Sequence, residues 1–95
     1  MLFMVIESFK HGNPRLVGER FKRSGRMLPE GVFYHARWVD SAGTRCFQLM
    51  EAPHALMLDD WMHRWDDLIE FEVVRVLTSN DFWARDGARM NSNSA

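Results

Sequence analysis

Residues with chemical capacity concentrate in "HARWVDSAGTRCFQLM", from His35 to Met50. An imidazole that titrates near neutrality can move a proton. A guanidinium can hold a carboxylate or phenolate through its forked donors, and a thiol beside one is drawn toward the nucleophilic thiolate. Here those groups are His35, Arg37 and Cys46, and Gln48 adds an amide that both donates and accepts. They alternate along a β-hairpin pattern, at positions where a covered sheet usually carries Val or Ile. With a symmetric loop over Asp40 to Gly43, Val39 pairs with Thr44, Arg37 lies opposite Cys46 and His35 opposite Gln48. Phe33 and Met50 come next on that face.

The opposite face then holds Tyr34, Ala36 and Trp38 against Leu49, Phe47 and Arg45. It is the more apolar at its centre, so it is expected to pack on helices. The polar set would point away from them, unless a single bulge inverts the assignment. Glu7 joins the set, because Leu2, Met4 and Ile6 form the wholly apolar face of the first strand. His35, Arg37, Cys46, Gln48 and Glu7 are therefore the candidate ligand-binding residues, for a small polar or aromatic molecule. The competing reading is structural: the same groups satisfy one another, or sit at a wet rim. His35 as a general base and Cys46 as a nucleophile are set against a hydrogen-bonded histidine and an inert small hydrophobe.

Other patterns carry less chemistry. Asp59, His63 and Asp67 recur every fourth residue along a helix, but three ligands over two turns make a poor single metal site. Arg15, Arg20, Lys22, Arg23 and Arg26 make the first helix basic; an acidic second helix beside it explains them better than a phosphate ligand. Trp61, Met62 and Trp65 fall at core spacing. Without a Gly-rich phosphate loop, a paired-Cys zinc pattern, HExxH or GxSxG, the sequence supports no nucleotide, zinc-hydrolase or serine-hydrolase reading. No metal and no cofactor are expected.

These residues must be positioned by one domain, since 95 residues suffice for one modest core. A net charge of -1 gives no field that gathers nucleic acid or an anionic membrane. The single Cys46 suits a reducing compartment. "MLFMVIESF" reads as a first strand rather than a signal peptide, and no apolar run reaches the roughly 18 residues of a membrane span. A soluble cytoplasmic protein is the expectation.

The first strand is expected over Leu2 to Phe9. "HGN" turns the chain, with Asn13 as N-cap and Pro14 opening a helix that runs to about Met27 and buries Val17, Phe21 and Leu28. Gly18 and Gly25 serve close backbone approach, or Gly25 ends the helix. Strands follow over Val32 to Val39 and Thr44 to Glu51. A second helix carries Leu58, Trp61, Met62, Trp65, Leu68 and Ile69 on one face, and a last strand covers Glu70 to Thr78. Ser79 and Asp81 start a short helix with Phe82 and Trp83, before a frayed "GARMNSNSA". The domain thus spans 1–79, with 80–95 a short extension and tail.

The order strand, helix, strand, strand, helix, strand is that of a ferredoxin-like α+β fold. Right-handed crossovers make the first and third strands central, the second and fourth edges, and put both helices on one face of the four-stranded antiparallel sheet. The other face is bare and too apolar for water, so a second copy of the same sheet is the simplest cover.

"MLFMVIESF", "GRMLPEGV", "RCFQLME" and "LIEFEVVRVLTS", in this order and spacing, make residues 1–79 resemble a small bacterial family, domain-of-unknown-function family 3303, of the dimeric α/β-barrel superfamily. The resemblance implies a homodimeric barrel and no established activity. Relatives in the superfamily include cofactor-independent monooxygenases, haem-degrading enzymes, muconolactone isomerases and stress-responsive proteins. Three functions stay open: a binder of a small organic molecule in the barrel, a cofactor-independent monooxygenase or isomerase, and a purely structural or stress-associated dimer. The Asn and Trp that some monooxygenase relatives use are matched only by Trp38, since the first strand has no Asn.

Overall fold

The computed structural model describes residues 1–12 and 14–86; the expected N-cap Asn13 and the tail from Gly87 onward lie outside the described residues. Strand β1 (Leu2–Phe9) runs into a short 3₁₀ turn (Lys10–Gly12), in which His11 and Gly12 both adopt positive φ and reverse the chain. Helix α1 (Pro14–Ser24) follows. It ends earlier than its apolar spacing suggests because Gly25, at φ 66°, donates its N–H back to the Phe21 carbonyl. Of its expected core residues, Val17 is buried, Leu28 packs at the core's edge, and Phe21 stays exposed. Neither Gly18 nor Gly25 is in a close backbone approach: a Cβ at either would meet nothing within 4 Å.

Strands β2 (Phe33–Val39) and β3 (Arg45–Glu51) form the hairpin, helix α2 (Met57–His63) crosses back, and β4 (Ile69–Val76) and α3 (Ser79–Asp86) complete the order. The sheet runs β2-β3-β1-β4 with every neighbouring pair antiparallel. This is the ferredoxin-like βαββαβ arrangement, with β1 and β3 central.

Helix α2 stops at His63, short of the expected extent. Asp66 and Asp67 are poor helix-interior residues, and the chain continues in tight turns closed by Trp65 N–H to Met62 O and Leu68 N–H to Trp65 O. Those turns keep Trp65 beside Trp61, and both indoles donate to the Arg26 carbonyl at 3.1 Å. Phe3, Val5, Met50, Ile69, Val17, Leu58, Trp61 and Trp65 make one core between the sheet and both helices. The basic and acidic segments do meet. Arg20 forms a two-pronged pair with Asp67, each contact 2.7 Å, and also donates to the Arg64 carbonyl.

The helix-free face carries Leu2, Met4, Ile6, Phe47, Leu49, Ala36 and Val76, all half-buried. Trp38, 52% exposed, and Val74, 40% exposed, extend it toward both edges.

Candidate functional site

The hairpin does not close symmetrically. Asp40 seals it: its carboxylate accepts from the backbone N–H groups of Thr44 and Arg45 and from the Thr44 hydroxyl, at 2.8, 3.1 and 2.8 Å. These bonds hold the Asp40 carboxyl down at about 2. They also move the register two residues from the symmetric one, so Val39 pairs with Cys46 and Arg37 with Gln48. A shift of two leaves every side chain on its own face. Then a bulge between Tyr34 and Ala36 makes His35 the extra residue. It turns to Glu51, with Nε2 2.7 Å from Oε1, both side chains about half exposed.

Two expectations are corrected here. His35 is parted from Arg37, because the bulge breaks the alternation that would have joined them. Arg37, Cys46, Gln48 and Glu7 stay together, but on the helix-covered face rather than the bare one. Phe3, Val5 and Glu7 are the buried positions of β1, and Cys46, Gln48 and Met50 those of β3. The more apolar pair, Phe47 and Leu49, looks outward, so central apolarity was a poor guide to which side the helices occupy.

On that inner face Gln48 Nε2 donates to Glu7 Oε2 at 2.6 Å, and Arg37 Nε donates to Cys46 Sγ at 2.7 Å. Glu7 is only 3% exposed. Burial pushes its carboxyl above the usual range, against the opposing pull of the Arg37 charge, the Gln48 and Cys46 hydrogen bonds and the Arg26 charge. Burial likewise raises the Cys46 thiol more than Arg37 lowers it. The anticipated Arg37 neighbour is present, yet the thiol is held in its unreactive form. Gln48, 4% exposed, leaves Oε1 without a hydrogen-bond partner among the described residues.

The cluster borders a cavity of about 340 Å³ between the sheet and α1, near the lower limit of small-molecule sites. Glu7, Gln48, Arg37 and Arg26 make its polar side; Phe9, Val17, Phe21, Trp61, Trp65 and Ile69 are among its apolar walls. Cys46 and His35 do not line it. Gly18 does, and its missing side chain leaves room that a Cβ would enter. Arg26, expected only as part of a basic helix surface, enters the site instead: its guanidinium lies 3.5 Å from the centre of the Tyr34 ring and 5.2 Å from that of Phe21, a tertiary placement with no local signal. Asp59, His63 and Asp67 do not gather, since Asp67 is held by Arg20 and His63 Nδ1 lies 3.1 Å from an Asp66 oxygen.

Fold and cavity together describe a ferredoxin-like α+β domain with a polar cluster buried between its sheet and helices. Residues 1–87 match the family model described as Domain of unknown function (DUF3303), and the chain belongs to that family. The match extends through α3. No curated protein and no solved structure matches the chain.

Proposed function

We propose that this protein binds a small, largely apolar organic molecule in the cavity between the sheet and α1, with Glu7, Arg37 and Gln48 as its polar contacts. One observation carries the reading. A carboxyl, an amide and a guanidinium are drawn together at one side of an otherwise apolar cavity, where a purely structural core would gain more from aliphatic side chains. Cys46 supports from behind by fixing Arg37, and His35 plays no part in the site.

The proposal includes a homodimer. The helix-free sheet face presents Met4, Ile6, Phe47, Leu49, Trp38 and Val74 as one apolar surface, and a second copy related by a two-fold axis covers it with an equal surface. In that assembly the two cavities lie on the outer sides of the paired sheets, not between them. A second reading, a cofactor-independent monooxygenase or isomerase, is favoured by one feature: the raised carboxyl of Glu7 is a competent proton acceptor beside a cavity. A purely structural or stress-associated dimer is the reading left if the cavity takes nothing.

Calorimetric titration with 1-naphthol, a rigid two-ring probe, tests the binding site when wild type is compared with Gly18→Leu. The leucine fills space on a helix that prefers it to glycine, by up to about 1 kcal/mol. Wild type is expected to bind and the variant to melt no lower while losing the probe. Undiminished binding by Gly18→Leu places the ligand elsewhere; no binding by wild type removes the proposal.

A further inference from the structure

We infer that the ligand of this cavity is an organic carboxylate, with its anionic group at the guanidinium of Arg26 and its hydrocarbon body against Phe21, Trp61 and Trp65. The inference rests on the binding reading above and names its ligand class. It starts from the two halves of one residue. The backbone half of Arg26 is structural: its carbonyl accepts from the Trp61 and Trp65 indoles, each at 3.1 Å, and ties the segment after α1 to α2 and the turn behind it. The side chain lines the cavity and is half-buried, with its guanidinium 5.2 Å from the ring centre of Phe21, itself a cavity wall, and 3.5 Å from that of Tyr34. Among the described residues, no hydrogen bond or ion pair uses its N–H groups. Arg20, one turn and a half earlier, shows the contrast: it spends its fork on Asp67 through two contacts of 2.7 Å.

Stacking on a ring occupies a face of a guanidinium and leaves the donors at its edge, the geometry that takes a carboxylate through two parallel bonds. The charge around the cavity has the matching sign. Glu7, Arg26 and Arg37 are the charged residues among its described walls. Glu7 is committed to Gln48, and burial pushes its carboxyl toward the neutral form, so the walls carry an excess of positive charge. A cationic ligand would add to that excess and a neutral one would leave it standing. An anion offsets it, beside apolar walls where charges are screened less than at an open surface. A space of about 340 Å³ behind Arg26 suits a body of one or two rings.

Three probes sharing one ring system separate the classes: 1-naphthoate, 1-naphthol and 1-naphthylmethylamine, anionic, neutral and cationic at pH 7, each titrated calorimetrically into the full chain. Naphthoate is expected to bind at least about tenfold more tightly than naphthol, as hydrogen bonds between charged groups exceed those between neutral ones. In Arg26→Met, naphthoate should weaken to the affinity of naphthol, while naphthol changes by no more than about twofold. That variant keeps the backbone carbonyl that both indoles use, and the wild-type series decides the ligand class even if it folds poorly. Arg26→Lys should recover part of the preference, since it restores the charge without the fork. Arg23→Met removes an exposed cation of α1 that does not line the cavity, and should leave all three affinities unchanged. Naphthol or the amine binding as tightly as naphthoate overturns the carboxylate assignment and leaves the binding site standing. Undiminished naphthoate binding by a folded Arg26→Met, or an equal loss in Arg23→Met, overturns the role of Arg26. Failure of all three probes to bind overturns the site and this inference together.

Discussion

At the scale of single residues, the site is governed by what burial does to ionisable groups. Glu7 and Cys46 both have polar neighbours that favour their charged forms, and in both burial outweighs those neighbours. For Glu7 this has a consequence for stability. A carboxyl raised in the folded state contributes stability that is full below its ordinary value of 4.5 and is lost as pH rises through the raised value. Replacing it with a neutral amide removes that loss while keeping an acceptor for Gln48. Glu7→Gln is therefore expected to melt at a higher temperature than wild type at pH 8, with the difference closing as pH falls to about 4. Melting curves at both pH values check it; a variant that is less stable at pH 8 shows that the charged Glu7–Arg37 pairing stabilises the fold. The candidate residues Glu7, Arg37, Cys46 and Gln48 were legible as a group because polar residues interrupt strands that are otherwise apolar. Gln48's unpaired oxygen was not, since it depends on which neighbour the amide reaches.

Among the elements, the hairpin and α2 show how local chemistry bends a periodic pattern. The spacing of Asp40 and Gly43 announces a turn, but only the carboxylate's bonds to Thr44 and Arg45 select the register that pairs Arg37 with Gln48. The bulge at His35 has no such announcement. It releases a polar residue from the covered face and lets it reach Glu51, a gain that exists only once the sheet is assembled. In α2 the apolar spacing of Leu58, Trp61 and Trp65 identifies the buried face, although the helix ends before Trp65. Trp65→Ala is expected to cost about 3 to 5 kcal/mol, as a large core aromatic is lost together with its indole bond to Arg26. Trp83→Ala, in α3 and only partly buried, should cost less. Thermal or denaturant unfolding gives the order, and a reversed order means that α3 rather than the turn after α2 anchors the core.

For the molecule as a whole, the decisive fact is a sheet that is apolar on both faces and helix-covered on one. Val74 sits on the uncovered face beside Met4 and is already 40% exposed, so a charge there costs a lone chain little. Val74→Glu also adds to a row that holds Glu70 and Glu72. If two sheets pair through this face, light scattering should show a dimer for wild type at micromolar concentration and a shift toward monomer for Val74→Glu, with the melting temperature of the monomer preserved. A wild-type monomer under those conditions rejects the dimer.

The sequence by itself determined the order of elements, the central and edge strands, the aromatic core and the family, because each rests on periodicity, turn residues or crossover handedness that a chain displays locally. It also marked Glu7, Arg37, Cys46 and Gln48 as unusual. Which side of the sheet they occupy was decided by tertiary structure alone. Leu2-Met4-Ile6 and Phe3-Val5-Glu7 alternate along the same strand, as do Phe47-Leu49 and Cys46-Gln48-Met50 in β3. Composition points the more apolar set at the helices, yet α1 and α2 cover the other. Leu2, Met4, Ile6, Phe47 and Leu49 are half-buried on the uncovered face, which therefore draws on the same residue types as the face beneath the helices. Only the crossover of the helices, and the cavity that Gly18 leaves beneath one of them, separates the covered face from the uncovered one.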